Sequence, residues 1–240
     1  MVLRHVVSAL IGLRVGELSR RFKEREVTCG LTAPPVIVRL DGVRFGSRLR
    51  GLSWPRDERV HRALLEAGKA IMSELGADMC YIVSDEINVF FTKYVPYGGR
   101  VFKIVSITSG IASSLVSLNL GRILFFDSRI VKIDNLHDVK TYILYRARVG
   151  LNNYLGSIFA ARRYSQRGYT PTIDELVSTL REHLEGPEWT YLGTLLVKRQ
   201  VSRKAVNKIT GEEVEVKRNV ITELPLEQVL TRNMYDLLTT

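Results

Sequence analysis

The chain has 240 residues, 45% hydrophobic and 25% charged, with 35 Lys and Arg against 25 Asp and Glu, so its formal net charge is +10 and its pI lies near 9.7. This length buries a real core without disulfide or metal staples, and the composition is that of a soluble globular protein in one large domain or two small ones. Two cysteines, Cys29 and Cys80, stand far apart in sequence; they exclude a zinc-finger or disulfide framework and fit a reduced, cytoplasmic setting.

Met1–Leu13 reads as an added helix or a misassigned start, because its short apolar stretch after Arg4 runs into charge without a small-residue cleavage site. No apolar run is expected to span a membrane, and no membrane partner is expected. After Pro34-Pro35 the run Val36–Leu40 predicts a buried strand ending at Asp41-Gly42. Asp57 is the expected N-cap of a helix whose apolar spacing (Val60, Leu64, Ala67, Ile71, Leu75) runs to Gly76. Met79–Val83 and Ile87–Thr92 are strands joined by the tight turn Ser84-Asp85-Glu86. Pro96–Gly99 is a loop, Arg100 to about Leu118 a second helix, and Ile123–Phe126 a fourth strand. The order β-α-β-β-α-β is the ferredoxin-like arrangement of an α+β fold.

Helices are expected at His137 to about Arg163, at Ile173–Leu184 and at Leu226–Leu238, and a basic β-hairpin from Thr194–Val201 and Val214–Ile221. The expected organisation is an N-terminal helical extension over residues 1–24, a ferredoxin-like core over 25–135, and a C-terminal helical and hairpin region over 136–240 packed with it.

In this topology the first and third strands are neighbours at the sheet centre, so Asp41 meets the Asp85-Glu86 turn at one end. Crowded carboxylates repel, and a divalent cation relieves that repulsion. Hard oxygen donors suit Mg²⁺, and two such ions roughly 3.5–4 Å apart activate an attacking oxygen and stabilise a leaving one. Arg100 and Lys103 open the second helix either as triphosphate contacts or as a solvated helix end; Ser84 either donates to a phosphate or caps its turn. The basic clusters, among them Lys198 and Arg199, point to a polyanionic partner. The four histidines form no ligand or triad pattern, and Trp54 and Trp189 read as packing residues.

On these residues the chain resembles the tRNA-His guanylyltransferase family of reverse, 3′-to-5′ RNA polymerases. The matching stretches include Lys23–Glu26, Val38–Gly42 with Phe45, Asp57-Glu58-Arg59, Ser84-Asp85-Glu86, Arg100 with Lys103–Ser106, Phe126–Val131, Tyr142 with Arg146, Asn152-Asn153 and Gly193-Thr194. The resemblance implies a palm in which Asp41, the Gly42 carbonyl and Asp85 hold two Mg²⁺ ions, with Glu86 beside them as a third catalytic carboxylate. It implies GTP and ATP as substrates, bound by Ser84, Arg100 and Lys103, and a tetrameric or dimeric assembly. It also implies tRNA as acceptor, contacted by Arg146, Asn152, Asn153, Lys198 and Arg199. Where the family has Arg and His after its Asp-Gly, this chain has Val43 and Gly46, and Arg44 is the expected substitute for the Arg. Gly150-Leu151 replaces the His-Ile that precedes the family's Asn-Asn, and Leu192 replaces the Lys before Gly-Thr. The expected function is nucleotide addition to tRNA 5′ ends, as a guanylyltransferase or an end-repair polymerase. The rivals are a palm-fold nucleotidyl cyclase and an RNA-binding protein whose palm has lost activity.

Overall fold

The computed structural model describes residues 2–27, 29–162 and 169–239. The apolar run that follows the two prolines becomes the central strand β2 (Val36–Gly42). Its alternating side chains serve two cores: Val36, Val38 and Leu40 join one, and Ile37 joins the other. Helix α4 (Glu58–Leu75) begins at Asp57, whose carboxylate accepts from the Arg59 amide, and stops at the left-handed Gly76. Strands β3 (Met79–Val83) and β4 (Glu86–Phe91) form a hairpin across Ser84-Asp85. Helix α5 (Val101–Leu120) returns to β5 (Phe126–Lys132). With β1 (Glu26–Val27), β6 (Thr194–Val206) and β7 (Glu213–Leu224), the sheet order is β1-β5-β2-β4-β3-β6-β7, all neighbours antiparallel. The inner order β5-β2-β4-β3 is the ferredoxin-like palm read from the sequence, extended on both edges.

The α4 and α5 helices cover one face, where Leu64, Ile71 and Met72 are fully buried. Each such side chain contributes about 1.5–3 kcal/mol. The long helix α6 (Leu136–Ala161) covers the other face, together with α1 (Val2–Ile11) and α2 (Val15–Glu24). The small elements α3 (Phe45–Arg48), α7 (Ile173–Thr179), α8 (Trp189–Leu192), α9 (Glu227–Thr231) and α10 (Met234–Thr239) complete the chain. Arg21 and Arg25 both bind the buried Asp138, which fastens α2 to α6.

Several expectations need correction. The fourth strand lies at Phe126–Lys132, not Ile123–Phe126: Ile123 and Phe125 are exposed, while the Asp127-Ser128-Arg129 stretch pairs with β2. Polar residues there hide the strand because its polar face is the site described below. The 173–184 helix ends at Thr179, where a 3-10 turn (Arg181–Glu185) takes over, and the C-terminal helix is split at Arg232-Asn233. The expected helix end at Arg163 lies outside the described residues. Helix α5 is long and apolar enough to cross a membrane by length and composition, contrary to expectation. It is a palm crossover, with Val101, Ile104, Thr108, Ala112 and Val116 buried against the sheet and α4. The hairpin is longer than expected and outruns β3: that strand pairs with β6 only from Thr194 to Val197, yet the β6–β7 ladder continues to Val206 and Glu213.

Gly193 enters β6 at φ 76°, so close to β3 that a Cβ would stand 2.2 Å from the Ile82 carbonyl oxygen. Gly193→Ala is expected to lower the unfolding free energy by about 2 kcal/mol or more, through backbone strain and overpacking. Urea denaturation measures this, and an unchanged midpoint would contradict the packing described.

Candidate active site

Asp41, next to last in β2, stands directly opposite Glu86 on β4 and Asp127 on β5, so the three carboxyl groups share the α6 face of the sheet. The backbone closes the same corner: the Gly42 amide donates to the Asp85 carbonyl at 3.1 Å. Gly42 is required by packing, since a Cβ would stand 2.6 Å from the Phe45 ring. Ser84 takes the left-handed place in the β3–β4 turn at φ 58°, and its hydroxyl donates to Asp85 Oδ1 at 3.1 Å.

Glu86 is buried and fully engaged. Arg146 Nε donates to its Oε2 at 2.8 Å, Arg146 Nη2 donates to Oε1, and Arg39 Nη2 reaches Oε1 at 3.0 Å. Arg39 Nη2 also donates to Asp41 Oδ2 at 2.7 Å. Glu86 therefore stands beside the pair, as expected, but it anchors arginines instead of presenting free oxygens. Arg146, expected on a tRNA-binding surface, is corrected by this arrangement: it points inward from α6, one turn beyond Tyr142, because Glu86 needs a buried counterion.

On the Asp85 side the turn opens into a cavity of about 830 Å³. Ser84, Asp85, Arg56, Asn152 and Asn153 line it, with Trp54 and the His61–Trp189 pair as aromatic walls. His61 and Trp189 stack at 4.6 Å between centroids, and His61 Nε2 meets Thr194 Oγ1 at 2.9 Å. Burial pushes His61 down to about 4, so it is neutral at pH 7. Trp54, expected to be a packing residue, is 59% exposed. The structure thus brings Asn152 and Asn153 to the same cavity as Ser84 and Asp85.

It does not bring Arg100 and Lys103 there. They open α5, beside the Leu31–Arg100 bridge and the start of β2, whereas the other end of α5 leads to Phe126 opposite Gly42. A 20-residue helix spans about 30 Å, so these cations stand at the far end of the palm from Asp41. Arg100 Nε donates to the Tyr97 carbonyl, and Lys103 Nζ lies 4.7 Å from the Tyr97 ring centroid. Lys198 and Arg199 lie toward the same far end, where Lys198 Nζ approaches the Met72 carbonyl of α4 at 3.4 Å. Arg44 is exposed at the start of α3, in left-handed conformation at φ 58°.

Residues 18–135 match the profile of a protein family described as tRNAHis guanylyltransferase. This chain's palm segment, just under half of its length, is thus similar to the tRNA-His guanylyltransferase family, a family of nucleotidyltransferases. An uncharacterised protein of Acanthamoeba polyphaga mimivirus is 24% identical over 237 residues, covering 81% of this chain and 80% of the relative. Two structures of a bacterial tRNA(His) guanylyltransferase-like protein share the fold. The complex with GTP has a TM-score of 0.64 at 21% identity, covering 90% of this chain and 98% of that one. The complex with ATP has a TM-score of 0.62 at 20% identity, covering 87% and 91%. The tRNA(His) guanylyltransferase of Saccharomyces cerevisiae has a TM-score of 0.58 at 18% identity, covering 75% and 91%.

Two further residues belong to the carboxylate face, Asp127 and Arg129, held together at 2.8 Å. Their i, i+2 alternation in a strand is the signal that marks one shared face. Burial first, then the charge of Glu86, raises Asp41 to about 6, against the partial relief given by Arg39. Burial and then Glu86 likewise raise Asp85. Asp41 thus binds its proton more tightly folded, at about 6, than at its ordinary 3.8. Its ionisation costs native stability, and that cost develops as pH rises from about 4 through 6 and is complete above. In metal-free buffer with chelator, Asp41→Asn is expected to melt higher than wild type at pH 7.5, with the gap closing toward pH 4. Parallel melting curves at both pH values would refute the crowded-carboxylate picture.

Proposed function

We propose that this chain transfers nucleotides from GTP or ATP to the 5′ end of tRNA, in the 3′-to-5′ direction, with divalent metal ions held at Asp41 and Asp85. The observation that carries the reading is the junction of two features: crowded carboxyl groups at the ends of β2 and the β3–β4 turn, and a nucleotide-sized cavity opening at Asp85.

The donor chemistry fits Mg²⁺. Asp41 and Asp85 are both raised by burial and by neighbouring carboxylates, the condition a bound cation relieves. Among the described residues no three His, Cys, Asp or Glu side chains gather into a self-sufficient metal cluster. Asp41, Asp85 and the Gly42 carbonyl would therefore hold the ion with substrate phosphates and water, as Mg²⁺ prefers. Bound there, the metal supplies Lewis-acid activation and neutralises charge at the transferring phosphorus. Arg39 and Glu86 fix the Asp41 carboxylate, Ser84 orients the Asp85 carboxylate, and the cavity walls shield the phosphates from bulk water.

A cytoplasmic setting belongs to this proposal; both cysteines are free thiols. So does a homodimer or homotetramer. Helix α5 carries no charge after Lys103 and leaves Phe102 and Leu118 exposed, and its Arg100 and Lys103 would serve nucleotide chemistry only from a second copy.

Asp41→Ala and Asp85→Ala are each expected to lower nucleotide addition by at least about 100-fold, the order of losing a metal or its electrostatic equivalent. The assay is labelled GTP with 5′-monophosphorylated tRNA and Mg²⁺. Wild-type turnover in either variant removes the site assignment, and a cyclic nucleotide or no product at all in wild type removes the function.

The tRNA is expected to be accepted without the histidine anticodon. Helix α6 lies so close to β3 that a Cβ on Gly150 would stand 2.3 Å from Val83 Cγ2, and Leu151 is fully buried. Neither position offers the stacking or edge contacts through which exposed bases are read. Rates are compared on tRNA-His, on the same RNA with a changed anticodon, and on an unrelated tRNA lacking its first 5′ nucleotide. Loss of activity on changing the anticodon alone would overturn this.

A further inference from the structure

The cations expected to take triphosphate, Arg100 and Lys103, stand at the wrong end of their own palm for it. Two arginines do line the Asp85 cavity, the exposed Arg50 and the less accessible Arg56, and the second is the one short of partners. Arg56 is mostly buried, and among the described residues its single hydrogen bond goes from Nη1 to the Pro55 carbonyl at 3.0 Å. Its Nε is buried with no acceptor. The adjacent Asp57 does not neutralise it, since that carboxylate is taken by the Arg59 guanidinium and the Ser53 amide, and the attraction of Asp85 does not outweigh the cost of its burial. A cation short of acceptors, facing a cavity, costs stability unless an anionic ligand completes its hydrogen bonds. Two residues earlier, Trp54 exposes its ring to the same cavity, and among the described residues no aromatic or cationic side chain packs on it.

We propose that Arg56 holds the phosphate chain of the nucleoside triphosphate in this cavity and that Trp54 stacks on its base. The guanidinium offers paired N–H donors that match phosphate oxygens, and the indole face accepts any base without reading its edge. Asn152 and Asn153, which line the same cavity, supply donors and acceptors for the sugar or base. The inference rests on the nucleotidyltransferase reading and adds the residues that bind the nucleotide.

The test is calorimetric titration of full-length protein in Mg²⁺, without RNA, with ATP, GTP and the matching nucleosides. Arg56→Gln is expected to weaken triphosphate binding about 10- to 100-fold, the range of charge-assisted hydrogen bonds, and to leave nucleoside binding unchanged. Arg56→Lys should recover part of the loss. Trp54→Ala should weaken nucleoside and triphosphate by the same factor. Melting temperature separates a ligand role from a structural one: removing a cation whose burial outweighs its attraction to Asp85 should leave it unchanged or raise it. Triphosphate binding by Arg56→Gln equal to wild type, or equal losses for nucleoside and triphosphate with a fallen melting temperature, overturns the assignment of Arg56 alone. Wild-type protein that binds no triphosphate overturns it together with the nucleotidyltransferase reading.

Discussion

Glu86 is buried at the start of β4, with both oxygens bound by Arg146 and one of them also by Arg39. A carboxylate so placed is tolerable only while its cations remain; losing one partner of a buried pair costs about 3–5 kcal/mol. The pair ties α6 to the sheet and places Arg39 where it also holds Asp41. Glu86 at the same time keeps Asp41 and Asp85 under electrostatic pressure, since its charge raises both. One interaction therefore joins the helical layer to the palm and sets the charge state of the groups that would meet a metal ion.

The site has two compartments with opposite needs. On the α6 face Asp41, Glu86 and Asp127 have arginine neighbours in Arg39, Arg129 and Arg146, so the charges nearly balance within the protein. On the turn side Asp85 opens to a cavity where Arg56 remains short of acceptors. A metal nucleotide complex would answer both: its cation would relieve the carboxylates, and its phosphates would satisfy the guanidinium. Such complementarity is strongest where water is excluded, since the same charges interact several-fold more strongly at lower effective dielectric.

The far end of the palm is built differently. There the β6–β7 ribbon outruns the sheet, and its two faces differ in charge. Arg199, Arg203 and Arg218 share one face with Val201, Val216 and Val220, whereas Lys198, Lys204 and Lys217 share the other with Glu213 and Glu215. Lys204 and Glu213 pair at 3.2 Å, so part of that face is neutralised internally. The basic character seen in composition is therefore concentrated, not uniform.

The sequence alone determined the palm. Continuous apolar, β-branched runs in the strands, a spacing near 3.6 in α4, the Asp57 cap, and Gly76 as a stop are local signals, and local physics fixes them. The Asp-Gly and Ser-Asp-Glu motifs were legible as a pair because ferredoxin-like order places the first and third strands side by side. The strand at Phe126–Lys132 was not legible: its alternating Asp127 and Arg129 look like a loop until β2 supplies Asp41 and Arg39 to meet them. Nor were the roles of the arginines. Arg146, Arg56 and Arg100 carry the same side chain; one is a buried counterion, one lines the cavity, and one sits at the far end of a helix about 30 Å long. Residue type gives a charge and its hydrogen-bonding groups, but what it neutralises depends on which groups the fold brings within a few ångströms, and only the tertiary structure decided that.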